Sequence, residues 1–183
     1  MDRRVSLLIL TAALLQAPPL LAQSVTAGGG VYAQDQPGFA PTRWGWTVLL
    51  GTEIGGGPVP FRAEASYARV DYTVVGEDYH TNTGNLVVGF TNRGDPRDAL
   101  SINFFLGLGA RVEDVVPEGD SVTTSATWKS LVSPGFTIER RIGGSSRVTL
   151  LVRDYISGLL GSVIDSSERD VRHSFSFVLG LTR

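Results

Sequence analysis

Residues 101 to 112 read SINFFLGLGARV, and their alternation decides the fold. Ile102, Phe104, Leu106, Leu108, Ala110 and Val112 are all apolar. The intervening Ser101, Asn103, Phe105, Gly107, Gly109 and Arg111 are small, polar or charged, with Phe105 the exception. A period of two marks a strand whose side chains alternate between two faces. One face is oily and the other is rich in glycine, so the fold turns on which of them meets water.

The pattern recurs in eight stretches, roughly 24–34, 44–54, 60–72, 84–92, 100–113, 126–142, 146–156 and 172–183. Most are longer than the roughly 5–6 residues of a soluble strand and match the roughly 9–11 of a tilted membrane strand. The connections alternate as well. Those at 55–59, 93–99 and 143–145 are short and rich in turn-forming Gly, Pro and Asp. Those at 35–43, 73–83, 114–125 and 157–171 are long. An up-and-down barrel with both termini on one side needs this order. In outer-membrane barrels the short turns are periplasmic and the long loops extracellular.

The apolar face includes Trp46, Val48, Leu50, Ile54, Phe61, Ala63, Ala65, Tyr67, Leu86, Val88, Phe90, Val148, Leu150, Val152, Phe175, Phe177, Leu179 and Leu181. The opposite face holds Gly28, Gly30, Gly45, Gly51, Gly89, Gly107, Gly109, Gly135 and Gly180, with the charged residues Glu53, Arg62, Glu64, Arg111, Glu139 and Arg153. On a solvent face those glycines would only weaken the strands. Inside a narrow barrel, small residues leave room for long ones. Three acids and three arginines balance, as buried charges require. The expected fold is therefore all-β, an eight-stranded antiparallel up-and-down transmembrane β-barrel with the oily face toward lipid. A soluble lipocalin-like barrel, with that face inward around an apolar ligand, is the competing fold. Trp44, Trp46, Tyr72, Trp128 and Tyr155, near strand ends, are expected to form an aromatic girdle at the membrane interfaces.

The N-terminus, MDRRVSLLILTAALLQAPPLLAQ, has the layout of a secretory signal peptide: Arg3 and Arg4, an apolar core from Val5 to Leu15, then small and polar residues around Ala22. The core is shorter than the roughly 20 residues of a spanning helix, and Pro18 and Pro19 prevent its continuation. Residues 1–22 are read as the signal and 23–183 as the barrel domain. The net charge of −2 gives no field to attract nucleic acid, and the absence of cysteine excludes disulfides and thiol catalysis.

The chain resembles the small outer-membrane β-barrels of the OmpA/OmpX type. The resemblance rests on the signal peptide, the eight strands, the loop alternation and the last strand. There Phe175, Phe177, Leu179 and Leu181 hold the alternate places that the insertion machinery reads in that family, although Arg183 stands where the family has a terminal aromatic. It implies residence in the outer membrane, contact with lipid and lipopolysaccharide, recognition by the insertion machinery and a monomeric barrel.

Other motifs are weaker. Some barrels of this size are lipid A hydrolases, and His173 has Ser174, Ser176 and Glu168 nearby, but alternation puts both serines on the face opposite the histidine. His80 with Glu77 and Asp78 is a low-specificity metal pattern. The RGD at 93–95 falls in a turn expected to face the periplasm. The glycine runs at 28–30 and 55–57 lack the Lys-Ser/Thr pair of a phosphate loop. Loop acids such as Glu113, Asp114, Glu118 and Asp120 are expected to be solvated. A narrow pore is the remaining alternative, with the lumen arginines as its obstacle. The expectation is a structural or surface-interaction protein with an unidentified ligand for its outer loops, no catalytic residues, no metal and no cofactor.

Overall fold

The computed structural model describes residues 22–35, 42–55, 59–92, 98–117, 126–159 and 171–183. The expected signal peptide up to residue 21, the RGD turn, and the loop residues Glu118, Asp120 and Glu168 lie outside them. The strands are β1 (Ala22–Gln34), β2 (Arg43–Ile54), β3 (Phe61–Val74), β4 (Glu77–Thr91), β5 (Leu100–Pro117), β6 (Thr127–Gly143), β7 (Ser146–Asp154), β8 (Ile156–Ser157) and β9 (Ser174–Thr182). From β1 to β7 each strand pairs antiparallel with the next, β7 pairs on with β9 and β8 with β6, and β1 pairs with β9, which closes the sheet. The short β8 continues β7 past Tyr155, so the barrel has eight staves.

Pro134 explains why that stave is split. The pairs Gly135↔Arg153 and Val132↔Ile156 keep one register, which sets Pro134 opposite Asp154. Tyr155 exchanges both backbone hydrogen bonds with Ser174 of β9, so the polar groups of Asp154 point the other way, toward β6. Pro134 has no N–H to offer them, and the ladder is interrupted there.

Register also gives the stagger. From Trp44 the cross-strand line runs through Ala33, Phe175 and Asp154, across the interruption to Pro134, then through Leu106, Phe90 and Phe61 to Ile54. It returns to β2 ten residues from its start. For eight strands this matches the usual tilt of about 35–45°, and ten residues so tilted rise about 25 Å, the height of a lipid-facing apolar band.

The oily face points outward. Leu86, Phe104, Leu108 and Leu179 are exposed on the outer wall, while Arg62, Arg111 and Arg153 are almost fully buried within. Phe105 is inside too, beneath the Arg153 guanidinium at 4.6 Å.

Three expectations need correction. The stretch 73–83 is not a long loop: β3 and β4 run on to a two-residue turn at Val75–Gly76, both with positive φ. Cross-strand hydrogen bonds outcompete an open loop there, and residues 114–117 likewise belong to β5. Tyr72 and Tyr155 are not on the lipid side. Both share the inward parity of their strands: Tyr155 is buried, and Tyr72 packs on the same inner cluster under the Arg43 guanidinium at 3.4 Å. Finally, most of the inward glycines do more than leave room in the lumen. A Cβ at Gly30, Gly45 or Gly109 would lie 1.9 Å from a carbonyl oxygen of the adjacent strand, so a narrow barrel brings backbone against backbone. At Gly51 the expected reason holds, since the nearest group is the Arg62 guanidinium.

Candidate functional site

Two polar layers fill the lumen. In the layer nearer the short turns, Glu64 of β3 is the hub. Its carboxylate accepts from Arg153 Nε at 2.8 Å and Nη2 at 2.6 Å, and from Arg62 Nε at 2.6 Å. Arg62 Nη1 also reaches Glu53 at 3.2 Å. Arg153 spends its remaining donors on the Phe136 and Val152 carbonyls and on Thr137 Oγ1. The bidentate Arg153–Glu64 contact joins β7 to β3 across the barrel, a charge-assisted bond with fixed geometry. Glu139 pairs with Arg147 Nη1 at 3.2 Å, which also donates to Ser101 Oγ. Below them Thr182 Oγ1 lies 2.8 Å from Thr26 Oγ1 and 2.7 Å from Thr149 Oγ1.

The second layer belongs to Arg111. It is fully buried and donates to Asn85 Oδ1, Ser157 Oγ, Ser174 Oγ and Tyr32 Oη at 3.0 to 3.4 Å. No carboxylate among the described residues lies within ion-pair distance, so the expected pairing of all six lumen charges is corrected at this position. Four neutral acceptors solvate the guanidinium instead. All six residues named from sequence are inside, but Arg147, the partner of Glu139, was missed. Its signal was available: counting back from Arg153 by twos reaches Arg147 on the same face.

The outer rim carries a different set. Trp44, Trp46 and Trp128 stand on the outer wall, all at the end away from the short turns, and Trp46 packs on Tyr67 with centroids 5.4 Å apart. Tyr67 Oη donates to Asn82 Oδ1, and Arg69 pairs with Asp71 just beyond. His80 and Asp78 point outward while Glu77 has the inward parity and accepts from Tyr79, so the three do not converge. No group of three or more metal-type side chains occurs among the described residues. His173 sits on the outer wall with Nδ1 2.9 Å from Asp154 Oδ2, whereas Ser174 and Ser176 are buried in the lumen. The histidine and the serines are therefore on opposite sides of the wall.

No family model matches the chain, and no curated protein matches its sequence. Solved structures do match the fold. Ail, the attachment invasion locus protein of Yersinia pestis, aligns with TM-score 0.54 at 13% identity, covering 87% of this chain and 95% of that one. Neisserial surface protein A aligns with TM-score 0.55 at 11% identity, covering 87% and 94%. The outer-membrane protein OprG of Pseudomonas aeruginosa aligns with TM-score 0.50 at 10% identity, covering 88% and 95%. The architecture is that of the small eight-stranded outer-membrane β-barrel, the class to which OmpA and OmpX belong in fold.

Proposed function

We propose that the protein is a monomeric outer-membrane barrel that presents a surface-interaction region and carries out no catalysis. The observation that carries this reading is the extension of β3, β4 and β5 past the apolar band. Arg69 marks the rim, and β3 continues to Val74, with β4 returning from Glu77. At the tilt above, five residues add about 12 Å, enough to clear the head groups. The projecting hairpin displays Asp71, Thr73, Asp78 and His80 on one side and the Tyr72–Tyr79 stack on the other. The lumen below it is filled by locked arginines, which supports a scaffold over a channel. The placement of Ser174 and Ser176 inside, away from His173, supports a non-catalytic role over hydrolysis.

Ail was crystallised with a heparin analogue, sucrose octasulfate. Here Asp71 is paired with Arg69 and Arg43 covers Tyr72, so the hairpin carries both signs of charge and no cationic cluster that would favour a sulfated partner. Lipopolysaccharide contact at the tryptophan rim and recognition of the last strand by the insertion machinery belong to the same reading. Because the chain has no cysteine, display is tested cleanly. Cysteine placed at Gly76 should react with a membrane-impermeant maleimide on whole cells, and cysteine at Ser145 in the β6–β7 turn should not. Labelling at Ser145 alone would invert the orientation, and labelling at neither would remove the surface role.

A further inference from the structure

The lumen changes its charge balance from one end to the other. In the layer nearer the short turns, Arg62, Arg147 and Arg153 meet Glu53, Glu64 and Glu139, three of each sign. The outer mouth is different. Arg43 of β2, Arg111 of β5, Lys129 of β6 and Arg172, two residues before β9, all have the inward parity of their strands. Glu113 is the one carboxylate among the described inward side chains at that level, since Asp35 and Asp114 have the outward parity. The stagger brings these residues together. With ~3 Å of descent per strand and ~2.6 Å of rise per residue, Arg43, Lys129, Arg172 and Glu113 fall within about 3 Å of the Trp44 level. Arg172 Nη1 lies 3.9 Å from Glu113 Oε1, three staves away, which confirms the convergence. Arg43 and Lys129 stand on opposite walls, four staves apart either way round. Eight strands at this tilt set opposite walls ~16 Å apart between Cα atoms, so long inward side chains approach the axis.

Three of the four cations lack a carboxylate among the described residues. Arg111 is held by neutral acceptors. Arg43 rests the face of its guanidinium on Tyr72, which leaves its edge donors. Lys129, directly opposite Arg111 in register, makes no hydrogen bond or ion pair among the described residues. Like charges so placed repel. A low-dielectric wall around them focuses their field at the mouth. Arg43 and Lys129 are partly exposed, so solutes reach that field from the end of the long connections.

We propose that the outer mouth of the lumen binds a small soluble anion of the phosphate class, carrying two or more charges, between Arg43 and Lys129 and above Arg111. A guanidinium fork and an ammonium match phosphate oxygens. A singly charged ion would offset only part of four cations against one carboxylate. Lipid phosphates are kept away by the wall, because all four cations face inward. The site rests on the closure and register of the barrel and not on the surface-interaction role of the hairpin.

The test is isothermal titration calorimetry of the refolded mature chain in nonionic detergent with inorganic pyrophosphate. The wild type should bind it saturably. Loss of one charge-assisted hydrogen bond predicts that Lys129→Gln and Arg43→Gln each weaken binding roughly tenfold. Variants on opposite walls preserve the test if one of them fails to fold. Arg140→Gln, at an exposed position of the outer wall near the short turns, should bind as the wild type does. No binding by wild type, or unchanged affinity in the folded Lys129 and Arg43 variants, would overturn the proposal. So would an equal loss in Arg140→Gln, which would show non-specific attraction. Binding of short-chain phosphatidic acid in place of pyrophosphate would put the phosphate site on the lipid-facing wall and also overturn it.

Discussion

Glu64 and Arg111 are both buried in the lumen, yet their removal should have different consequences. Glu64 pairs with two guanidiniums, so Glu64→Leu leaves Arg153 buried without its carboxylate and Arg62 with Glu53 alone. Breaking a buried pair by removing one partner costs about 3–5 kcal/mol. Among the described residues Arg111 has only neutral partners, and Arg111→Met leaves hydroxyls and an amide without their donor at about 1–3 kcal/mol. Urea unfolding in vesicles, followed by tryptophan fluorescence, should rank Glu64→Leu well below Arg111→Met; the reverse order would mean the ion network is not what holds the lumen. The glycines separate likewise. Gly109→Ala drives a methyl into the Leu86 carbonyl and should abolish folding, whereas Gly51→Ala meets the movable end of Arg62 and should fold with a loss of about 1–3 kcal/mol. The presence of these residues inside was legible from alternation alone. Their partners were not: Glu64 and Arg153 lie 89 residues apart, and only the stagger of the closed sheet brings them together. Tyr72 and Tyr155 show the opposite case. Closeness to a strand end suggested a girdle, while parity with Arg62 and Arg153 already placed both inside.

At the scale of elements, the β3–β4 turn and the β6–β7 seam carry local conflicts. Val75 has φ of 52°, and a β-branched residue in that region is strained. With Gly76 it forms the positive-φ pair that favours Asn-Gly, so Val75→Asn should raise the urea midpoint, by about 1 kcal/mol of stability. A lowered midpoint would mean the valine is held by contacts beyond the turn. The turn was hard to read because Val-Gly is a poor turn signature, and the acids and threonines around it resemble a loop. Pro134 could be read in the sequence as a strand breaker, yet its effect falls on β7, a partner that only topology identifies. Pro134→Val restores an N–H facing Asp154, and amide exchange along β6 and β7 should slow. Unchanged exchange would show that the seam is not limited by the proline.

For the whole molecule, strand number, strand order, compartment and most of the inward and outward sets were legible, because a closed barrel imposes one period along the chain. The length of the β3–β4 connection and the inward place of Tyr72 and Tyr155 were misread. The height of the outer wall and the convergence of Arg43 and Lys129 on one level were not legible, since both depend on the stagger, which no single strand encodes. The central claim is that the oily face meets lipid and the charged face is enclosed. Its most direct test is the gel mobility of the refolded mature chain in detergent, boiled against unboiled. A closed barrel resists detergent when cold, so the unboiled protein should migrate as a separate, compact species that boiling converts to the unfolded form. Identical mobility, together with solubility in the absence of detergent, would place the oily face inside and contradict the account.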